Sequence, residues 1–276
     1  MEVTRKSFKC TEGTKLNFYF LGDIHEGNVN HAEKEFAEAV KIIRDDENGY
    51  WIGMGDYIEA ITIDDKKRFN PVTIAKKYGL SDLKDLPYKQ IEFVYEKLKS
   101  IDHKCIALLV GNHEESYIKY NHSDIYERFA SMFKSNPKKL GYLGFIQLRF
   151  ITDVKTHIVL VCVNHGDGGG GFREGYPVNK VHDVFRWTHA DINVMGHIHQ
   201  LVADDRKITD VERNKAHLVK PRKFWGVSGC FLYSYVDGHA NYFEKKGRSE
   251  SDIGMLKAEI FVGNIININL VKVVLG

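Results

Sequence analysis

The sequence has 276 residues, of which 43% are hydrophobic and 28% are charged, and its net charge is +2. This length and composition are typical of a globular protein with one large core. The nearly balanced charge argues against a dedicated duplex-DNA coat protein, which needs many Lys and Arg side chains for its phosphate contacts. A local basic patch remains compatible with such a total.

Two features of the sequence bear on the cellular compartment. The longest apolar runs, such as Ile158–Val163, are too short to span a bilayer, and the first residues lack the apolar core of a signal peptide. The four cysteines are widely scattered and form no CxxC pair, which agrees with a reducing environment. We therefore expect a cytoplasmic protein without a membrane partner.

Short β-type runs alternate with helical patterns along the chain, which predicts an α/β fold with sheets covered by helices. The first predicted strand is Lys15–Leu21, and a helical pattern begins at Asn30, which is expected to cap that helix. The later predicted strands are Gly49–Met54, Lys104–Val110, His157–Val163, Asp191–Met195, Lys223–Ser228, Met255–Val262 and Ile265–Leu275.

Three further helices are predicted from the spacing of apolar residues. One begins at Pro87, one is capped by Ser123, and one covers Pro177–His189. Before the first of them, the charged stretch around residues 58–86 has no clear period, and we interpret it as a surface insertion over one end of the sheet. No repeat or low-complexity linker divides the chain, so we expect a single domain over residues 1–276.

Short motifs rich in potential metal ligands each follow a predicted strand. Residues just beyond the carboxyl ends of strands converge on one crevice in an open α/β sheet, so these motifs are expected to meet. The glycines beside the ligands permit tight turns and a close approach of the backbone. The motifs are Gly22-Asp23-Ile24-His25, Gly55-Asp56, Gly111-Asn112-His113-Glu114, Asn164-His165-Gly166 and Gly196-His197-Ile198-His199.

The residue types in these motifs predict a transition-metal site. In the D-x-H and H-x-H pairs, an extended backbone is expected to point both side chains the same way. Carboxylate, amide oxygen and imidazole ligands together suit manganese, iron, zinc or nickel rather than calcium. Two adjacent cations need a bridging anion, and Asp56, alone on its turn, fits that role.

The ordered series D-x-H, G-D, G-N-H-E, H-G and G-H-x-H resembles the calcineurin-like metallophosphoesterases, and it spans about two-thirds of the chain. The resemblance implies a four-layer α+β sandwich, with central mixed β-sheets flanked by helices. It also implies two divalent transition-metal ions, with manganese expected first and iron, zinc or nickel as alternatives. In this resemblance one metal is held by Asp23, His25 and His199, the other by Asn112, His165 and His197, and Asp56 bridges both.

The same resemblance gives His113 a catalytic role and implies a reaction. His113 would face the scissile phosphate and either protonate the leaving oxygen or stabilise developing charge. A water or hydroxide between the metals would attack phosphorus. Tyr57 and Glu59 are candidates to line the substrate side. Arg173, just after the glycine run Gly168–Gly171, is a candidate for contact with the substrate phosphate.

The chain departs from the protein Ser/Thr phosphatase branch of this family. That branch has an arginine directly before GNHE and a GDxVDRG segment, whereas here Val110 precedes GNHE and Asp56 is followed by Tyr-Ile-Glu-Ala. A phosphoprotein substrate is thereby less expected, and among the remaining branches a phosphodiesterase acting on a nucleotide or nucleic acid is favoured. The alternative is a phosphomonoesterase or pyrophosphatase with a small substrate. A non-catalytic binding scaffold is disfavoured because the full ligand set is present.

Basic clusters at 66–68, 138–139 and 220–223 are candidates for nucleic-acid contact.

Overall fold

Two mixed β-sheets, each with six strands, pack face to face at the centre of the protein. This computed structural model describes residues 1–66, 68–169, 171, 173–212, 216–237, 244, 247 and 249–276. In chain order the strands are β1 (Glu2–Lys9), β2 (Lys15–Leu21), β3 (Gly49–Gly53), β4 (Cys105–Leu108), β5 (Lys138–Lys139), β6 (Leu143–Ile151), β7 (Thr156–Asn164), β8 (Ile192–Met195), β9 (Leu201–Lys207), β10 (Asp210–Val211), β11 (Leu218–Val219), β12 (Arg222–Ser228), β13 (Gly254–Val262) and β14 (Ile266–Val274).

The spatial order of the strands mixes distant parts of the chain. The first sheet runs β1-β6-β7-β8-β12-β9, and the second runs β14-β13-β2-β3-β4-β5. Strands β7, β8 and β12 are parallel neighbours, as are β2, β3, β4 and β5, while the β6–β7 and β13–β14 pairs are antiparallel. The remaining strands, β10 and β11, pair with each other as a separate antiparallel ribbon. Parallel strands need crossover connections, and these place the helices outside the sheets.

The helices form the two outer layers. Within the described ranges the α-helices are α1 (Glu33–Asp45), α2 (Leu86–Leu98), α3 (Asn112–Asn121), α4 (Ile125–Ser131) and α5 (Tyr176–Phe185). Phe36 of α1, Leu98 of α2 and Phe129 of α4 are fully buried in one cluster with Trp51 of the second sheet. On the opposite side, Phe185 of α5 packs in a smaller cluster on the first sheet. The predicted four-layer α+β sandwich is therefore confirmed.

A third apolar cluster lies between the two sheets and joins them. Phe8 of β1 lies 5.6 Å from Phe18 of β2 and 5.7 Å from Phe150 of β6, measured between ring centroids. All three rings are buried, and burying one such side chain stabilises a protein by about 1.5–3 kcal/mol. This packing fixes the two sheets relative to each other, and with them the strand ends that carry the candidate ligands.

Two predicted helix caps are wrong. Helix α1 begins after Ala32, because the chain first makes a turn in which the backbone N–H of Asn30 donates to the side chain of Asn28. Helix α4 is capped by Asp124, whose carboxylate accepts from the backbone N–H of Glu127 at 2.7 Å. The Ser123 hydroxyl is instead paired with the hydroxyl of Tyr88 at 2.8 Å.

Up to the start of α2 at Leu86, the stretch around residues 58–86 contains no α-helix and no strand longer than a single bridge among its described residues; Lys67 lies outside them. It makes short 3₁₀ turns at Pro71–Thr73 and Leu80–Asp82. The backbone N–H of Ala75 donates to the Gly27 carbonyl at 2.8 Å, which fastens the stretch to the loop after β2. That it is an insertion in a single-domain chain stays a prediction. None of the described helices is both long and apolar enough to cross a membrane.

Candidate metal centre

The five predicted motifs all follow strand ends, and they meet at one end of the sandwich. Asp23 and His25 follow β2, Asp56 follows β3, and Asn112 begins helix α3 just after β4, all in the second sheet. The first sheet contributes the other three predicted ligands, His165 after β7 and both His197 and His199 after β8. The convergence thus takes place between two packed sheets rather than along the edge of one open sheet.

One group of side chains consists of Asp23, His25 and His199, whose ligand atoms all lie within 4.8 Å of one another. The Nε2 atoms of His25 and His199 face each other at 2.9 Å. An oxygen of Asp23 lies 3.4 Å from Nε2 of His199. Asp23 is fully buried and His25 is 2% exposed, so bulk water does not separate these atoms.

A second group consists of Asp56, His165 and His197, again with ligand atoms within 4.8 Å of one another. Nε2 of His165 lies 3.3 Å from Oδ2 of Asp56 and 3.1 Å from Oδ1 of Asn112. The same Oδ2 of Asp56 is 3.8 Å from Nε2 of His25. Asp56 therefore lies between the two groups, as a bridging ligand would.

The backbone of the D-x-H and H-x-H pairs is not extended, and this sequence prediction is wrong. Asp23 and His25 have φ of 48° and 52°, and His197 and His199 have φ of 71° and 55°. These values lie in the left-handed region, which non-glycine residues adopt at a cost. The turns arise from bonds between loops, such as the donation from the backbone N–H of Asp23 to the Gly55 carbonyl at 2.9 Å.

Two glycines allow these loops to approach closely. Gly55 has φ of +89°, and a Cβ there would lie 2.7 Å from Nδ1 of His165. At Gly111 a Cβ would lie 2.2 Å from the backbone nitrogen of Asp56. Both contacts are far shorter than real Cβ contacts, so only glycine fits at these two positions.

Glu114 is a structural residue of the site to which the sequence analysis assigned no role. Its fully buried carboxylate accepts four backbone N–H groups, from Asp56, Tyr57, Ile58 and Gly111, at 2.7–3.3 Å. It thereby ties the loop that carries Asp56 to the start of α3. An acidic residue three positions after a glycine that precedes a helix is a capping pattern, and this signal was present in the sequence.

His113 lies beside the two groups and is oriented by two contacts. Its Nδ1 is 2.6 Å from the backbone carbonyl of Glu59, and its backbone N–H donates to Asp56 at 2.9 Å. Its Nε2 lies 4.0 Å from Oδ2 of Asp56. Because a carbonyl only accepts hydrogen bonds, Nδ1 carries a proton, and Nε2 is the atom directed toward the centre.

Burial and neighbouring charges perturb the titration of the site. Burial raises the pKa of Asp56, but the charges of His165 and His113 outweigh it and hold the pKa well below its usual range. Burial lowers the pKa of His165, but the Asp56 carboxylate raises it to about 10. The pKa of His197 is lowered to about 4 by burial and by His165. Burial also lowers the pKa of His113, but Asp56 and Glu59 outweigh burial and raise it.

The three residues predicted to contact substrate lie in different places in the structure. Tyr57 does not line the substrate side: its ring is fully buried against Phe129, and its hydroxyl donates to the Leu109 carbonyl at 2.9 Å. The tight turn after Asp56 points this side chain into the core. Glu59 does lie beside the site, next to His25 and His113.

The third candidate, Arg173, is exposed, and no contact within the described residues joins its side chain to the site. In the preceding glycine run, Gly168 and Gly171 have positive φ, while Gly170 lies outside the described residues. Contact of Arg173 with a substrate phosphate stays a prediction.

The donor set fits transition-metal ions. Imidazole nitrogens, carboxylates and one amide oxygen suit first-row transition metals. Nδ1 of His197 is buried and has no hydrogen-bond partner among the described residues, and an unpaired buried polar atom needs an explanation. A metal ligand accounts for that atom and for the two imidazole nitrogens that face each other at 2.9 Å.

The sandwich fold and these two adjoining ligand groups define a protein of the metal-dependent hydrolase type. The family model described as calcineurin-like phosphoesterase matches residues 16–201. The chain therefore belongs to the calcineurin-like phosphoesterase family. Membership supports a hydrolase acting on phosphoesters and the binding of divalent metals.

Neither curated proteins nor solved structures narrow the function of the chain beyond its family. No curated protein matches the chain. Among solved structures, it is similar to one described as "GAP50 the anchor in the inner membrane complex of Plasmodium", with a TM-score of 0.46 and 13% identity, covering 94% of this chain and 84% of that one. A likeness this weak carries no argument about function.

Proposed function

We propose that the protein is a metal-dependent phosphodiesterase that hydrolyses a phosphodiester bond in a nucleotide or nucleic acid. The observation that carries the proposal is the position of Asp56 between two ligand groups, with His113 at its side. Two metal ions about 4 Å apart with a bridging ligand are a recurring arrangement in phosphoester hydrolysis.

The proposed ligand assignment follows the two groups. Asp23, His25 and His199 would hold one metal, and Asp56 would be shared. Asn112, His165 and His197 would hold the other. Bound metals would supply a lowered pKa for an attacking water and neutralise charge on the phosphate oxygens. Manganese is proposed first, because carboxylate and carbonyl oxygens suit it, with iron, zinc or nickel, which suit the imidazole ligands, as alternatives.

In this proposal His113 acts as a general acid. Its Nδ1 proton is engaged by the Glu59 carbonyl at 2.6 Å, so Nε2 would donate the proton that the leaving oxygen requires. The Asp56 and Glu59 carboxylates favour the protonated ring by raising the His113 pKa. Proton transfer from a positioned side chain typically contributes about 10²–10⁴ in rate.

The charge near His113 supports a diester substrate. The Glu59 carboxylate lies within 4.8 Å of ring nitrogens of His25 and His113. Its negative charge would repel the second anionic oxygen of a monoester more than the single negative charge of a diester. A nearby negative charge therefore favours the diester.

A phosphomonoesterase is the second candidate, and Arg68 is the observation that favours it. The Arg68 guanidinium is close enough to lower the pKa of His113, and it could bind an additional phosphate oxygen. Its Nε is bound to the Asp65 carboxylate at 2.6 Å, which partly compensates its charge. We therefore rank this candidate below the diesterase.

The surface gives less support for a long nucleic acid. Lys138 pairs with Glu2, Lys139 with Glu127, and Lys223 with Asp191. The clusters at 138–139 and 220–223 are thus largely neutralised, Lys67 of the cluster at 66–68 lies outside the described residues, and the proposal of a nucleic-acid substrate rests on the centre itself. Four free cysteines support the proposed cytoplasmic location.

The test is hydrolysis of bis-p-nitrophenyl phosphate and of p-nitrophenyl phosphate with added manganese. We expect a higher kcat/KM for the diester, and a strong preference for the monoester would overturn the proposal in favour of its alternative. Incubation with single- and double-stranded DNA then separates a nuclease from a nucleotide phosphodiesterase. A preparation that neither contains nor binds a transition metal would eliminate both enzymatic candidates.

Variants separate the proposed roles. Asp56→Ala should lose metal binding, whereas His113→Ala should keep both metals and lose about 10²–10⁴ in kcat. His103 is exposed and precedes β4, whereas the Gly111 motif follows the other end of that strand, so His103→Ala is the matched control and should retain activity. Near-normal activity of His113→Ala on a substrate with a poor leaving group would refute the acid role.

A further inference from the structure

We propose that Glu59 is a positioning residue that orients two histidines of the centre at once. Its backbone carbonyl would fix His113, and its side-chain carboxylate would fix His25. The inference rests on the proposed metal binding at this site, and it replaces the expectation that Glu59 contacts substrate.

The first contact involves the Glu59 main chain. Nδ1 of His113 lies 2.6 Å from the Glu59 carbonyl. The backbone N–H of Glu59 in turn donates to the Glu26 carbonyl at 2.8 Å. The carbonyl that holds His113 is thus anchored to the loop after β2, one residue beyond His25. This contact does not depend on the Glu59 side chain.

The second contact involves the carboxylate. Oε2 of Glu59 lies 3.3 Å from Nδ1 of His25, and the two side chains are 13% and 3% exposed. Nε2 of the same ring is directed at His199 and Asp56. A proton on Nδ1 that faces the carboxylate would leave Nε2 with its lone pair toward the metal site.

The carboxylate also explains two otherwise unpaired atoms. Nδ1 of His25 and Oε2 of Glu59 are both buried and have no well-aligned hydrogen bond within the described part of the chain, yet they face each other at 3.3 Å. A small tightening on metal binding would complete a carboxylate–histidine pair. Such pairs fix the tautomer and ring orientation of a metal-binding histidine and raise its basicity.

The test is calorimetric titration of the metal-free protein with Mn²⁺ for wild type, Glu59→Gln and Glu59→Ala. We expect Glu59→Ala to weaken Mn²⁺ binding by about 10–100-fold, the range seen when such partners are removed. Glu59→Gln should recover part of the loss, because its amide oxygen can still accept the Nδ1 proton. Glu115, exposed on α3, provides the control Glu115→Ala, which should bind Mn²⁺ like wild type.

Two further readouts keep the test decisive. Histidine ¹H–¹⁵N NMR should show an Nδ1–H signal from His25 in wild type, separate from that of His113, and the His25 signal should be lost or shifted in Glu59→Ala, even if that variant is less stable. Steady-state kinetics at saturating Mn²⁺ should leave KM for the diester within about threefold of wild type, since the carboxylate is proposed not to touch substrate.

The outcomes distinguish this inference from the proposed function. If wild type binds Mn²⁺ but Glu59→Ala binds it equally well, the positioning role is refuted and the metal centre stands. A large rise in KM with unchanged Mn²⁺ affinity also refutes it, because that result identifies a substrate contact. If wild type binds no metal, both proposals fall together.

Discussion

Replacing Gly111 by alanine should disable the centre without altering any candidate ligand. Gly111 has φ of −101°, which any residue can adopt, so the effect is purely steric. The added Cβ would lie 2.1 Å from Oδ1 and 2.2 Å from the backbone nitrogen of Asp56. That nitrogen donates to the Glu114 carboxylate at 3.0 Å, so these two atoms of Asp56 cannot move freely away from the added Cβ. Reaching an ordinary contact requires a movement of Asp56 by about 1 Å.

A displacement of this size has a calculable consequence. Overpacking of a buried site costs about 1–3 kcal/mol in stability, and a 1 Å misplacement of a catalytic constellation costs about 10² in rate. Asp56 also accepts the backbone N–H of His113, so the movement would disturb the acid as well as the shared ligand. We therefore expect about a 100-fold lower kcat/KM and at least about tenfold weaker Mn²⁺ binding.

The assay combines thermal unfolding, Mn²⁺ titration and diester hydrolysis. Gly175→Ala is the matched control, because Gly175 has φ of −74° and its Cβ would meet no atom of the described residues within 4 Å. We expect this variant to change stability by less than about 0.5 kcal/mol. If Gly111→Ala bound Mn²⁺ and hydrolysed the diester like the control, close packing of Gly111 would not be what positions Asp56.

Three further predictions concern stability. Lys104 donates to the carbonyls of Ile43, Arg44 and Asp46 at 2.6–2.9 Å at the end of α1. Lys104→Met should lower the free energy of unfolding by about 2–4 kcal/mol, and an unchanged urea midpoint would contradict this. Glu259 accepts from Lys15 and Lys257, which lower its pKa. Its contribution of about 0.5–1 kcal/mol should be present above about pH 4.5 and disappear as the pH falls through the lowered pKa, so Glu259→Gln should match wild type in acid. Finally, Mn²⁺ at 100 times its Kd should stabilise the metal-free protein by about 2.7 kcal/mol, and chelation should reverse the shift in Tm.

The sequence predicted the buried strands and the order of the motifs, because both depend on local patterns. Strand β2 has the predicted bounds, and β13 differs from its prediction by one residue. Continuous apolar runs that end in a glycine and a potential ligand are visible without knowledge of the fold. The expectation that these ends converge needed only the general geometry of α/β sheets.

Elements that depend on long-range contacts were missed. Strand β1 has few apolar residues and is stabilised by parallel pairing with β6, more than 130 residues later in the chain. Helix α3 has only two buried residues, Glu114 and Tyr117, so it shows no apolar stripe. Its first turn is held by the Glu114 carboxylate. Neither arrangement leaves a periodic signal in the sequence.

The sequence prediction that differs most from the structure is the extended backbone of the D-x-H and H-x-H pairs. The bent backbone found there is also informative about function. Five of the nine non-glycine residues with positive φ in the described part of the chain are candidate ligands: Asp23, His25, Asp56, His197 and His199. A left-handed residue with a Cβ costs roughly 1–2 kcal/mol, less for Asp, so the three histidines alone cost at least about 3 kcal/mol, a large part of the net stability of many domains. Glycine would relieve this cost at each position but offers no ligand atom. Strain that is concentrated on ligand-bearing residues, and held in place by Glu114 and the loop-to-loop bonds, is therefore best explained by what those side chains bind.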